Sequence, residues 1–336
     1  AGSSSLKFQL YEMPEENVLI SGVFERIGIG NSFYTIKLNG EKIKKEVELE
    51  DHRRAFEILV SELIENKVIE SPEEVKAIGH RTVQGGEKYD HTVVIDEEVI
   101  GDMVRYSSLA PLHNPAAITG IRAAQEVFKD ALQTAVFDTA FHATMKEENY
   151  IYPVPYEWYT EYGVRKYGMH GTSHRFVSMR VNELLGREDT RVITCHIGNG
   201  ASVSAVVNGK CIDTSMGLTP NAGVMMGSRC GDIDCSIVPY IMEQTGMTTK
   251  EIDTALNKKS GFLGICGYAD CRDVEKLASE ENEETIIDGN QLSGNVIKYL
   301  LLIILLIITM IIYISHKVNS DQQYWKSFYS CYLKIL

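Results

Sequence analysis

The residues best placed to do chemistry sit at turns that follow apolar runs. His196-Ile197-Gly198-Asn199-Gly200 turns the chain between Val192, Ile193 and Cys195 on one side and the period-two run Val203, Ala205, Val207 on the other. Glycines without a Cβ let successive backbone N–H groups approach an anion, and Ser202 adds a hydroxyl, so this hairpin can hold a phosphate. A lone Gly-x-Gly is more often an ordinary tight turn. Arg81 lies between the apolar run 75–80 and Gly85-Gly86, where an arginine is equally suited to meet an anion or to sit on the surface. Asp138 heads Asp138-Thr139-Ala140-Phe141-His142 after the apolar run 134–137. His170, between Gly168 and Gly171, is poorly placed to be a core side chain. The stretch 215–234 is rich in glycine and carries one arginine, Arg229, with Asp232 and Asp234. A loop of that length without structure of its own is usually functional.

These residues need strands and helices to hold them. The chain opens AGSSSLKFQLY, a second small polar turn, with Leu6, Phe8 and Leu10 alternating after it. Two such turns, each feeding an alternating strand near the start of a half, outline a duplicated kinase-like fold with one phosphate hairpin per half. A hairpin has a strand on each side, so a strand ahead of Ala1 is expected. Asn39-Gly40 and Asn208-Gly209 mark further hairpins. Residues 51–67 read as a helix burying Ala55, Ile58, Leu59 and Leu63. Asn114 and Pro115 read as N-cap and first residue of a helix running to Phe128. Residues 150–167 read as the crossover between halves. Thr172 or Ser173, helped by His174, is expected to cap a helix with Phe176, Val177, Val181 and Leu184 on its apolar face, stopped by Gly186. A strand is expected at 211–214, a capping box at Thr248 and Glu251, a loop at 261–274, and an acidic helix or linker at 275–288.

With 336 residues, the chain is long enough for two domains with ample core. A net charge of −13 argues against a nucleic-acid partner, so any phosphate site must concentrate its arginines locally. Seven cysteines at these spacings resemble neither a disulfide framework nor a zinc site, which points to reduced thiols and a cytoplasmic location.

Together, AGSSSLKFQLY, GHRTVQGG, LAPLHNP, AVFDTAFHATM, YGMHGTSHRFV, CHIGNGASVSAV and DTSMGLTP…MMGSRCGDID resemble the acetate kinase family in order and spacing, from Ala1 to about Glu284. That family belongs to the acetate- and sugar-kinase, heat-shock ATPase and actin superfamily. The resemblance implies an α/β fold of two duplicated actin-like ATPase (ribonuclease H-like) domains with an active-site cleft between them. It places a first kinase domain at 1–148 and a second at 149–290, followed by an aberrant apolar tail at 291–336. The implied reaction is reversible phosphoryl transfer between ATP and acetate, giving ADP and acetyl phosphate, with Mg²⁺. By motif, Asp138, His170 and Arg229 resemble the catalytic residues. Arg81 resembles the acetate-carboxylate ligand, and Val83, Leu112, Met169 and Pro220 the walls of the methyl pocket, Met169 standing where the family usually has Phe. Lys7, His196, Ile197, Gly198, Asn199 and Gly200 resemble nucleotide-phosphate contacts, and Asp270, Cys271 and Arg272 part of the nucleotide site. No metal ligand is identifiable, because the family's Asn and Glu ligands fall outside the matching motifs. A homodimer is the family expectation.

The chemistry suits these residue types. In-line phosphoryl transfer spreads negative charge over equatorial oxygens, so catalysis is positioning plus fixed positive charge, here Arg229, His170 and Mg²⁺. Acetate is already ionised near neutral pH and needs no base. Asp138 is therefore expected to order Mg²⁺ waters or orient Arg81. Beyond Gln291 the family's adenosine loop is not recognisable, and 299–314 is an apolar run. It reads as a membrane anchor, a buried helix or out-of-frame translation; the absence of Ala, Gly, Pro, Glu and Arg from 297–336 favours the last. The alternatives to an acetate kinase are a propionate or butyrate kinase of the same superfamily and an inactive, membrane-associated remnant.

Overall fold

The computed structural model describes residues 1–111, 113–279, 285–287 and 290–292. The chain divides into two compact units. Unit 1 comprises Ala1–Ala143 with Met169–Thr172, and unit 2 comprises Thr144–Gly168 with the chain from Ser173 onward. The apolar tail at 299–314 lies outside the described residues, and among those that are described no helix is long and apolar enough to cross a membrane.

Unit 1 opens with an antiparallel meander of β1 (Ser5–Glu12), β2 (Asn17–Glu25), β3 (Phe33–Leu38) and β4 (Glu41–Glu46). Asn39 and Gly40 turn β3 into β4 with φ of 50° and 82°, as the Asn-Gly pair predicts. Register pairs Leu6 with Phe24 and Phe24 with Tyr34, which puts these side chains on one face, against α1 (His52–Glu65). Leu6, Phe24, Tyr34, Ile36, Ala55, Phe56, Leu59 and Leu63 form this core. Each fully buried apolar side chain of this kind is worth about 1.5–3 kcal/mol. The opposite face carries Lys7, Ser21, Thr35 and Lys37. Asp51 caps α1, its carboxylate accepting from the Arg54 N–H.

A second sheet of unit 1 has the order β5 (Ala77–Thr82), β7 (Leu132–Phe137), β6 (Val93–Val94). β5 starts later than the sequence suggests and runs through Arg81, because its parallel pairing with β7 holds to Thr82 opposite Phe137. Helices α2 (Glu97–Arg105) and α3 (Asn114–Val127) pack Met103 and Ile121 against Ala135 and Phe137. Asn114 is not the N-cap: it is the first helical residue, with His113 before it. Its buried side chain instead grips the Gln84 backbone, accepting from Gln84 N–H at 3.1 Å and donating to Gln84 O at 3.0 Å.

Unit 2 begins with the short helices α4 (Glu147–Tyr150), which ends where the expected crossover starts, and α5 (Glu157–Tyr162), which lies within it. Helix α6 (Gly171–Leu185) starts at Gly171, before Thr172 and Ser173, so neither is its cap. Its expected apolar face is also wrong: Phe176 and Leu184 are 69% and 73% exposed, whereas His174 and Ser178 are buried. Polar partners decide this, since the His174 ring is 2.7 Å from Thr194 Oγ1 and 2.8 Å from Ser202 Oγ on the sheet. That sheet is β8 (Arg191–Ile197), β9 (Ala201–Val207) and β10 (Lys210–Thr214), with Asn208 and Gly209 at φ of 51° and 74°. A long irregular stretch from Ser215 leads to α7 (Ile237–Thr245), anchored by the buried Met216 and Met226. Helix α8 (Thr249–Lys258) has the expected capping box of Thr248 and Glu251. The expected loop at 261–274 is instead α9 (Gly261–Cys266) and the start of α10 (Cys271–Ser279). Phe262 and Cys266, one turn apart, are both buried, and Gly267 ends α9 in the left-handed region at φ 78°.

Candidate active site

In unit 1, parallel pairing brings Arg81 and Asp138 to the carboxyl ends of neighbouring strands, where α/β sheets hold their ligands. Asp138 continues the ladder, its N–H donating to Thr82 O at 3.0 Å. Its carboxylate is 2% exposed and accepts two bonds from Arg81, Nε to Oδ1 at 3.0 Å and Nη2 to Oδ2 at 2.7 Å. This pair raises the Arg81 guanidinium above its ordinary pKa. The fork uses one edge of the guanidinium, and the Nη1/Nη2 end keeps donors for a second carboxylate. The loop after Arg81 is fixed by Asn114 and by Thr139, whose Oγ1 accepts from Gly85 N–H at 3.1 Å. Neither of these bonds is legible from sequence, because the partner lies far along the chain.

His170 has a φ of 59°, a conformation unusual outside glycine. Two contacts hold it. Gly171 N–H donates to Asp138 O at 2.9 Å, so closely that a Cβ on Gly171 would lie 2.3 Å from that oxygen. On the other side, buried His142 donates from Nε2 to Met169 O at 2.9 Å. Burial pushes the His142 imidazole down to about 4 from 6.5, so it is a neutral donor across the working pH range. Since the unfolded chain takes up this proton below about 6.5 and the fold resists it until about 4, the stability held by neutral His142 is complete above pH 6.5 and falls away toward pH 4. The unfolding midpoint is expected to drop over that window, and His142→Gln, which keeps a donor but cannot titrate, is expected to flatten the drop; equal slopes in a pH series of thermal melts would refute it.

Val83 is half-buried, Met169 is 1% exposed, and Leu112 lies outside the described residues. Lys7 lines an open groove of about 570 Å³ on the polar sheet face with Lys37 and Lys42; Arg81 and Asp138 are not part of it.

In unit 2, β8 and β9 present His196–Gly200 as a tight turn, with Gly198 N–H donating to Gly200 O at 3.0 Å. His196 Nδ1 is 2.9 Å from Ser173 Oγ, while Ile197, Gly198 and Asn199 are exposed. Glycine is required nearby at Gly227, where a Cβ would sit 2.8 Å from Asn199 Oδ1 and 2.5 Å from Ala269 O. The His196–Gly200 turn, the Arg229 loop and the segment leading to Asp270 therefore meet around one residue. Arg229 is half-buried and donates from Nη1 to Pro220 O at 3.0 Å, with Met226 Sδ at 3.8 Å. Among the described residues no carboxylate pairs with it, and burial lowers its pKa. A half-buried, unpaired guanidinium is a place for an anion. Arg272 folds onto Asp270, whose carboxyl it holds down at about 2, and Cys271 is exposed.

The described residues include no group of three or more carboxylate, histidine or cysteine side chains that could hold a metal ion. Both Asp138 oxygens already accept from Arg81. These residues do not by themselves make a Mg²⁺ site.

Residues 1–304 match the model of the Acetokinase family, which carries the likeness past Glu284, where the motifs end. A protein named acetate kinase from Geobacillus kaustophilus (strain HTA426) is 54% identical over 303 residues, covering 89% of this chain and 76% of that protein. Among solved structures, a propionate kinase from Francisella tularensis subsp. tularensis SCHU S4 aligns with a TM-score of 0.80 at 45% identity. Porphyromonas gingivalis acetate kinase aligns with a TM-score of 0.79, also at 45% identity. Each alignment covers 84% of this chain and 72% of the other.

Proposed function

The chain belongs to the Acetokinase family, and from that membership we propose that it transfers a phosphoryl group reversibly between ATP and acetate, giving acetyl phosphate and ADP. The fold is the family's two-domain actin-like ATPase fold, and the enzyme class is a phosphotransferase with a carboxyl acceptor.

The observation that carries the assignment of roles is the pair of differently prepared arginines. Arg81 is locked by Asp138 along one edge and left with donors at its end, which suits a second, small carboxylate. Arg229 is half-buried, with no counter-ion among the described residues, which suits charge that develops on a transferring phosphoryl group. In this reading acetate attacks as its carboxylate, with no proton to remove, and Asp138 acts by orienting Arg81. His170, clamped through Gly171 and Met169, adds a donor to the phosphoryl oxygens. The glycine turn His196–Gly200, with Lys7, binds nucleotide phosphates. Asp270, Cys271 and Arg272 border the nucleotide, and Val83, Leu112, Met169 and Pro220 surround the methyl group. Mg²⁺, when bound, would supply positive charge against the nucleotide's phosphates, and the described side chains do not by themselves form a site for it.

A propionate substrate is the second reading, favoured by the likeness to the Francisella propionate kinase and by Met169, an adaptable side chain, at the pocket. A cytoplasmic location is supported by cysteine spacings that fit no disulfide framework and by the free thiols of Cys195, Cys230, Cys235 and Cys266. A homodimer rests on the family alone.

The test is ATP formation from acetyl phosphate and ADP with Mg²⁺ by the purified chain. Activity is expected, with acetate preferred over propionate in the reverse direction. A folded sample that makes no ATP would overturn the proposal.

A further inference from the structure

We infer that Tyr152 is a positioning residue that sets the methyl-pocket wall and the transition-state arginine together; this rests on the roles proposed above for Pro220 and Arg229. The phenol is half-buried, and its oxygen accepts from Leu218 N–H at 3.1 Å. The same oxygen presses on the neighbouring residue: a Cβ on Gly217 would lie 2.1 Å from it. Gly217 is fixed from its other side as well, its carbonyl accepting from Tyr167 N–H at 3.1 Å and Gly168 N–H at 3.2 Å. Two residues past Leu218, the carbonyl of Pro220 accepts from Arg229 Nη1 at 3.0 Å. Asp232 then closes the loop, its N–H and carboxylate both bonded to the Gly223 backbone at 2.9 and 2.7 Å. A continuous path thus runs from the Tyr152 hydroxyl through Leu218 and Pro220 to the guanidinium of Arg229.

The loop has no helix or strand to hold it. Its shape depends on point anchors, and Tyr152 is the anchor next to Pro220. Burial, together with the negative charge of Asp232, pushes the Tyr152 phenol above its ordinary pKa, so its hydroxyl stays protonated throughout the working range. Because one carbonyl joins the pocket wall to Arg229, loosening the anchor disturbs substrate fit and phosphoryl stabilisation at once. A purely structural tyrosine would change neither separately from the amount of folded protein.

The experiment is a double-mutant cycle on the full chain, read as kcat and KM for acetate and for propionate, with the folded fraction measured for each variant. Tyr152→Phe keeps the ring and removes the acceptor of the Leu218 N–H. It is expected to lower kcat/KM for acetate about tenfold per folded molecule, split between kcat and KM, and to narrow the preference for acetate over propionate by roughly threefold. Gly217→Ala, which drives a methyl into the hydroxyl, is expected to lower kcat/KM by about thirtyfold. In the double variant the nearest remaining neighbours of that methyl are Ala222 Cβ at 3.2 Å and the ring Cζ at 3.4 Å. The double is therefore expected to recover to within about threefold of Tyr152→Phe alone. Additive losses overturn the inference. So does a Tyr152→Phe enzyme with unchanged KM and acyl preference whose kcat falls only with the folded fraction. A wild-type chain that makes no ATP from acetyl phosphate overturns the functional reading itself, whereas either of the former outcomes in an active wild type leaves that reading standing.

Discussion

Arg229→Ala is expected to lower kcat for ATP formation by about 10³-fold while leaving the protein at least as stable. Two features set this combination apart from an ordinary loss of a surface charge. The first is desolvation without compensation. Arg229 is half-buried, its pKa is lowered by that burial, and its neighbours are a backbone carbonyl and a thioether, not a carboxylate. Among the described residues nothing pairs this cation, and removing it relieves the cost of its burial. The second is preorganisation. The bond from Nη1 to Pro220 O fixes the plane of the guanidinium, so its remaining donors are in place before charge develops and need no reorganisation during transfer. Arg229→Lys is expected to recover less than tenfold of the loss, because an ammonium cannot hold the Pro220 carbonyl and still present a planar pair of donors. Steady-state kinetics and a thermal melt on each variant check this. A kcat within tenfold of wild type, or a melting point well below it, would show that Arg229 serves the loop and not the reaction.

How much of this was legible depends on whether the signal is local. The Asn-Gly turns at 39–40 and 208–209, the α1 face with Ala55, Leu59 and Leu63, and the Thr248–Glu251 capping box all formed as read, because each is decided by neighbouring residues. The reading of α6 failed because a helix face is chosen by what lies opposite. His174 and Ser178 are buried by hydroxyl partners on β8 and β9 that a hydrophobic period does not register. Asn114 failed in a similar way: next to Pro115 it has the spacing of a cap, yet its amide finds a better match in the Gln84 backbone thirty positions away. The segment at 261–274 looked like a loop because Gly261, Gly264 and Gly267 punctuate it. In the fold, Gly261 takes a left-handed φ of 64° at the start of α9, where a Cβ would strike Met226 O, and Gly267 ends the helix. In the candidate site the residue types were visible from sequence, and orienting Arg81 was one of two roles expected of Asp138, but the two-bond fork and the clamp of His142 on Met169 O are tertiary contacts between distant residues.

The Arg81–Asp138 pair yields the sharpest separation of stability from activity, because its two ends are buried so differently. Asp138 is 2% exposed, whereas the Arg81 side chain is 64% exposed. Arg81→Ala leaves a buried carboxylate without its partner and is expected to cost about 3 kcal/mol of stability. It is also expected to lower kcat/KM for acetate by about 10³-fold, the worth of a charged, two-point contact to the substrate carboxylate. Asp138→Asn removes the charge and leaves Arg81 free to re-solvate, so its stability cost is expected to be only about 1 kcal/mol. Its kinetic effect is expected at about 10²-fold in kcat/KM, carried largely by a higher KM for acetate, because an amide offers one acceptor oxygen where the fork needs two. The double variant Arg81→Ala/Asp138→Asn is the decisive member. With no buried charge left, it is expected to regain most of the stability lost in Arg81→Ala and none of the activity. Melting temperatures and acetate KM values across the four proteins check both halves. If Asp138 were instead a proton acceptor, Asp138→Asn would lower kcat at unchanged KM, whatever happened to Arg81. A carboxylate nucleophile gives such a base nothing to remove, and the fork shows both oxygens already committed to holding the arginine.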